Sequence, residues 1–442
     1  MKSTTIALAA ATLALGSSAF ADVTVNITGA TAFRVPTLDS IKARFVASGQ
    51  PFKFAHDRNA GNNQAFNGAT RAIFQGTFPG VSGVTTIRTS FNGSVEGIKA
   101  LVDSPASDPT YLQTSVLDSI TAVVGGNNGG NGKGGTSSPV AAAQSDIAYS
   151  DVSIAATPFA ANALQPGTPE AGVVVFTMIA NEGAAGKLDN LNTQNFRALY
   201  ARGFQPLSFF TGNAADTDYV FATGRNDGSG TRTTYLAETG YGIATAVNQY
   251  IVGSASGDTI TAIYRVPQGG TSAGLAAIVP ALTLSSGNAS TIWGLNVNGN
   301  GGYSSGSSLR DDMGRTSASV AVYDADGSVL TTGANIHLVT FLSLGDASPA
   351  KTANAVVLGY NGVKLSDFAT TGTLSAADTA KVTEGAYTAW SYQQMYRRND
   401  ITSGDKVTVY NGIKDNLVLG TTGIIKSAMN VGRLVDGGVV AP

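Results

Sequence analysis

The chain contains no cysteine and only two histidines, His56 and His337, and 13% of its 442 residues are charged. The first absence excludes disulfide staples, thiolate nucleophiles and cysteine-ligated metals. The second leaves little from which to build a histidine-rich metal centre. The low charge is about half of the roughly 25% usual for soluble domains, so serine, threonine, asparagine and 54 glycines must take the place of charge on the surface. Lys+Arg at 27 nearly balances Asp+Glu at 29, with no basic cluster. The electrostatic footprint of a nucleic-acid binder is therefore missing. What is present is apolar material, 43% of the chain, enough to bury a real core. The length suggests roughly two or three domain-sized units.

The first residues read as an export signal. Met1-Lys2 supplies a positive charge, Ile6 to Gly16 is an almost unbroken Ala/Leu/Thr run, and Ala19-Phe20-Ala21 is a small-x-small cleavage site. The run is too short to span a bilayer, and no cysteine follows it for lipidation. Residues 1–21 are expected to be a signal peptide, leaving a mature chain that starts at Asp22 and is periplasmic or secreted.

Along the chain, strand and helix patterns alternate. Val23-Thr24-Val25-Asn26-Ile27 alternates apolar with polar as a strand does, Gly29-Ala30-Thr31 turns, and Pro36 opens a helix with Leu38, Ile41, Phe45 and Val46 on one face. The same grammar returns at Ser94, with Ile98, Leu101 and Val102. Ile147-Ala148-Tyr149 is a strand ending in Ser150-Asp151, Val173 to Ile179 suits a strand buried on both faces, and Leu191 to Tyr200 a helix. Val320 to Leu330 reads as a β-hairpin; its DxDG text lacks the later ligands of a calcium loop. Residues 125–139 form a Gly-rich, low-complexity surface loop. Tyr392 to Tyr396 carries an apolar helix pattern. Such alternation points to an α/β fold with a mainly parallel sheet flanked by helices.

The chemistry concentrates in Arg225-Asn226-Asp227-Gly228-Ser229-Gly230-Thr231, between an apolar stretch (Tyr219-Val220-Phe221) and a helical pattern, Thr234 to Thr239. Free N–H groups and hydroxyls at a helix start, with the positive end of the helix dipole behind them, suit a small oxyanion. Arg225 adds a guanidinium fork matching two phosphate oxygens, and Asp227 is placed to hold that guanidinium. The Gly-Lys-Ser/Thr ending of a nucleotide P-loop is absent.

This segment resembles the RxDGSGT signature of the periplasmic phosphate-binding proteins that serve ABC-type phosphate importers. Other segments match that family in order: ITGATAF (Ile27 to Phe33), Gly93 to Lys99, Ile147 to Asp151, Phe341 to Ala347, and Leu358 to Val363. The resemblance implies a ligand shell of Thr31, Ala32, Phe33, Ser94, Asp151, Arg225, Ser229, Gly230 and Thr231, with Asp227 supporting. Donors would then hold a phosphate without metal or cofactor, and Asp151 would be the lone acceptor, taking the ligand's proton and rejecting sulfate. The first turn is one residue shorter than the family's. Arg34 has no family counterpart and is either a surface charge or an extra anion contact. Glu96 stands where the family tends to have small residues, and beside a phosphate would repel.

The family fold is a two-lobe type II periplasmic binding protein, each lobe a mainly parallel sheet flanked by helices, joined by two crossover strands. Lobe one would be 22–169 plus 383–442, and lobe two 170–382, with extra loops near 283–333. The crossings would fall at Val173 to Ile179 and Glu384 to Trp390. The implied function is capture of inorganic phosphate by a monomer for a membrane ABC permease, with no nucleic-acid partner and no catalysis. The alternative is a secreted surface or matrix protein keeping the fold with a different oxyanion or none, which the low charge and long Gly/Ser/Thr/Asn insertions motivate. A phosphate-ester hydrolase is the weakest option, because Ser229 has no nearby base in the sequence.

Overall fold

The computed structural model describes residues 21–442 apart from 59–65, 67, 126–131, 168–169, 267–300, 304, 369–371 and 418–422. Residues 1–20 of the signal-peptide segment, 126–131 of the Gly-rich loop and the first part of the 283–333 insertion lie outside the described residues. The rest of that loop is not all surface loop, since Gly132–Lys133 pairs parallel with Phe54 and Ala55 as a short strand. The rest is a mixed α/β structure built on one large sheet flanked by helices.

Two groups of parallel strands form the sheet's two halves. In the first, Val23–Gly29 pairs with Val84–Ser90 on one side and Ile147–Ser150 on the other. In the second, Tyr219–Ala222 pairs parallel with Ile336–Ser343. Two long strands, Glu170–Ala180 and Trp390–Arg397, pair antiparallel to each other between the halves. Antiparallel ladders also extend the first half through Arg71–Thr77 and Phe52–His56. Gly172 to Ala180 is buried throughout, as its continuous apolar text requires when both faces are covered.

Several parallel strands run directly into the start of a helix. Val23–Gly29 leads through a 3-10 turn (Thr31–Phe33) into the helix Arg34–Ala47. Val84–Ser90 leads to the helix Ser94–Val102, Tyr219–Ala222 to Gly230–Glu238, and Ile336–Ser343 to Leu344–Thr352. In such sheets the crevice beyond the carboxyl ends of the strands is where ligands bind, so the topology alone gathers these helix starts into one neighbourhood.

Most expected elements appear, though the first helix opens at Arg34, ahead of Pro36, and turns Leu38, Ile41 and Phe45 inward while Val46 is exposed. The 191–200 helix is Thr193–Arg202, started by an Asn192/Asn195 capping box and ended by Gly203 in the left-handed conformation. Val320–Tyr323 and Val329–Ala334 form the expected hairpin. Tyr392 to Tyr396 does not form a helix. It belongs to the crossover strand Trp390–Arg397, which matches Trp390 with Val175 and Met395 with Tyr149. The strand text alternates at first, Trp390 and Tyr392 against Ser391 and Gln393, but a register shift between Gln393 and Gln394 breaks the period and leaves Tyr392, Met395 and Tyr396 at helical spacing. The return crossing therefore starts at Trp390, and Glu384 to Ala389 is a turn. Among the described residues, no helix is long and apolar enough to cross a membrane.

Candidate anion-binding site

The Arg225 loop docks on the start of the Ser94 helix, and this contact joins the sheet's two halves. Val95 N–H donates to the Gly228 carbonyl at 3.1 Å, and Glu96 N–H reaches the same oxygen at 3.4 Å. Gly230 has to be glycine here, since a Cβ would stand 2.2 Å from Ser94 Oγ and 3.0 Å from Asp151 Cβ. Ser229 is the N-cap of the Gly230–Glu238 helix, accepting from Arg232 N–H at 3.3 Å. That helix starts four residues earlier than its apolar pattern shows, which puts Gly230 and Thr231 in its first turn.

Ser94 and Asp151 do not cap helices with their side chains. The N-cap of the Ser94 helix is Gly93, and Ser94 Oγ accepts from Asp151 N–H at 3.0 Å. Asp151 is 1% exposed; one carboxylate oxygen receives the Thr231 hydroxyl at 3.4 Å, and the other, Oδ1, has no hydrogen-bond partner. Burial raises its pKa from 3.8 to about 7, against the lowering effect of Arg225 and the hydroxyls of Ser94 and Thr231. A carboxyl held near neutrality with one free oxygen can accept a proton from a ligand or keep one itself.

Arg225 is 2% exposed and fixed from three sides. Its Nε donates to the Tyr303 carbonyl at 3.0 Å and its Nη1 to Thr31 Oγ1 at 3.2 Å. Its own carbonyl accepts from Gln249 and Arg232, both at 3.1 Å. Burial lowers its pKa to about 10, opposed by the nearby carboxylates Asp346 and Asp151, so it remains a cation at neutral pH. Asp227 bears electrostatically on the next arginine, Arg232.

The first turn contributes Thr31, which touches Arg225, together with the buried Ala32 and Phe33. The Phe33 ring is a core group, packed with Tyr149 at 6.4 Å between centroids, so only its backbone is available to a ligand. All nine residues expected to form the shell are thus buried, and the hydrogen bonds above join the turns at Thr31, Ser94, Asp151 and Arg225. Glu96 instead opens onto an outer cleft of about 510 Å³ shared with Asp57, Arg58, Arg71 and Asn226. The charges acting on Asp151 are Arg225 and Asp346.

Sequence reasoning missed Asp346, in the first turn of the Leu344–Thr352 helix, and Tyr303, which lies inside the stretch counted as extra length. It left Arg34 undecided. Arg34 is 4% exposed, not a surface charge, and faces Asp346. The available signal for Asp346 was its helix-start position after a buried strand; Tyr303 left none. Among the described residues, no group of acidic or histidine side chains could hold a metal ion.

No protein-family model and no curated protein matches the chain. Solved structures that resemble it include an ABC-type phosphate transport receptor from Vibrio cholerae, at 10% identity over 91% of this chain and 99% of that one, with a TM-score of 0.40. PstS from Borrelia burgdorferi is 12% identical over 90% and 94%, with a TM-score of 0.34. A possible phosphate binding protein from Planctomyces limnophilus is 10% identical over 92% and 95%, with a TM-score of 0.39. Likeness at this level carries no argument about the ligand of this chain.

Proposed function

We propose that the chain is an exported solute-binding protein that captures inorganic phosphate between two lobes, 22–169 plus 383–442 and 170–382, and delivers it to an ABC-type permease without catalysis. The observation that carries this is the pairing of a buried, fixed guanidinium with a buried carboxylate whose Oδ1 is unpartnered, at the meeting of several helix starts. Arg225, the hydroxyls of Thr31, Ser94, Ser229 and Thr231, and the amides of Ala32, Phe33 and Gly230 supply donors. Asp151 supplies an acceptor. A protonated phosphate fills both needs, whereas above about pH 7, where Asp151 has lost its own proton, sulfate leaves it facing an anion with no proton between them, a costly arrangement in a buried site.

Because the donors come from both halves of the sheet, the complete shell exists only when the halves meet, so binding favours closure about the two crossover strands. Titration calorimetry on the chain from Asp22, stripped of ligand by partial unfolding, tests this. Micromolar or tighter phosphate binding, no response to sulfate, and a loss of about a hundredfold or more in Arg225→Ala and Asp151→Asn are expected. Silence toward phosphate would sink it.

A further inference from the structure

Arg34 is buried, yet poorly satisfied. Its one carboxylate partner is Asp346 Oδ1, 3.5 Å from Nη2, and its Nε and Nη1 have no hydrogen-bond partner. A guanidinium placed to serve a structural ion pair makes short, often bidentate bonds; this one keeps two nitrogens in reserve. It follows the site's first turn without a break, three residues after Thr31, and residues three apart on such a turn share a face. Thr31 already touches Arg225. Arg34 and Asp346 both act electrostatically on Arg225, and Asp346 also acts on Asp151. The second carboxylate is held close by its surroundings: a Cβ on Gly306 would lie 2.0 Å from Asp346 Oδ2, so only glycine lets the Gly306–Met313 helix approach it.

From these placements we infer that Arg34 is a direct ligand of the bound oxyanion, so that two guanidinium groups grip it, with Asp346 as the counter-ion that keeps the second one buried when the site is empty. The inference rests on the anion-site reading above. Asp346 also explains how an extra cation is tolerated: the Arg34/Asp346 pair adds no net charge, so it changes contacts more than the overall field of the site. The ligand class follows as a compact tetrahedral oxyanion with enough oxygens for two arginines and one acceptor.

The decisive comparison is Arg34→Met alone against Arg34→Met/Asp346→Asn, each titrated with phosphate, arsenate and sulfate and melted without ligand. The single variant leaves the buried Asp346 with only the more distant Arg310, 3.9 Å away, and is expected to melt below the parent. The double variant removes both charges and is expected to recover most of that stability. Its affinity for the anion should nonetheless stay about a hundredfold below the parent, because the contact is gone while the net charge is unchanged. Recovery of parental affinity in the double variant would overturn the inference and leave phosphate binding intact. Sulfate binding that depends on Arg34 would overturn the phosphate assignment and leave this inference standing. No response of the parent chain to any of the three anions overturns both.

Discussion

Two buried arginines in this molecule solve the same problem differently. Arg433, in the C-terminal segment, donates to Glu238 at 2.9 Å and to the Thr388 carbonyl at 2.6 Å, leaving its Nε unpartnered, and its guanidinium lies 4.3 Å over the Trp390 ring. Arg34 has a single carboxylate contact at 3.5 Å and two unpartnered nitrogens. Both are nearly excluded from water, so both have lost similar hydration, but only Arg433 has regained most of it from protein. A buried charge that is largely satisfied reads as architecture. One that is not reads as a site awaiting something.

The Arg433 side of that contrast should break most heavily. Arg433→Met leaves Glu238 a buried, uncompensated carboxylate, which typically costs about 3–5 kcal/mol. Denaturant unfolding should show the loss, while anion affinity, measured where the variant is folded, should hardly move. A large affinity loss with little destabilisation would erase the distinction between the two arginines.

A second expectation concerns Asp151, whose pKa in the folded chain is about 7 instead of 3.8. A raised carboxyl binds more proton in the folded than in the unfolded state, so its contribution favours folding at low pH and is lost as pH rises toward the folded value. At about 1.4 kcal/mol per pH unit, the ligand-free chain should lose on the order of 3 kcal/mol from this group between pH 4 and 6. Asp151→Asn should flatten that slope in unfolding curves taken across the range. An unchanged slope in the variant would show that Asp151 is ionised throughout.

The smallest effect is aimed at the Arg34 side. Gly306→Ala forces a methyl toward Asp346 Oδ2; overpacking of this kind costs about 1–3 kcal/mol. It should disturb the Arg34/Asp346 pair and weaken anion binding without the pH signature of Asp151. Calorimetry beside a thermal melt separates the two losses, and full retention of both affinity and stability would show that the helix simply shifts.

Much of the candidate site was legible because it is made of short local text. Gly228-Ser229-Gly230-Thr231 at a strand-to-helix junction announces a helix start with free donors, and Ser229 indeed caps the Gly230 helix. Asp151 was legible as the polar end of a buried strand. The pattern at Tyr392 to Tyr396 misled because a register shift between Gln393 and Gln394 interrupts the strand's alternation and leaves its apolar residues three and four apart. Asp346 lies more than three hundred residues from its partner Arg34, and no local period connects them.

What the sequence by itself determined, then, is the alternation of strands and helices, the apolar crossing at Val173 to Ile179, and the helix-start chemistry, since each depends on neighbours a few residues away. Only the tertiary structure decided which helix starts meet, that Tyr303 pins Arg225, and that Arg34 is buried against Asp346 with nitrogens to spare. Those facts depend on the order in which the strands lie side by side. That order is fixed by pairing and packing between distant segments, whose free energy belongs to the assembled sheet and to no stretch of the chain alone.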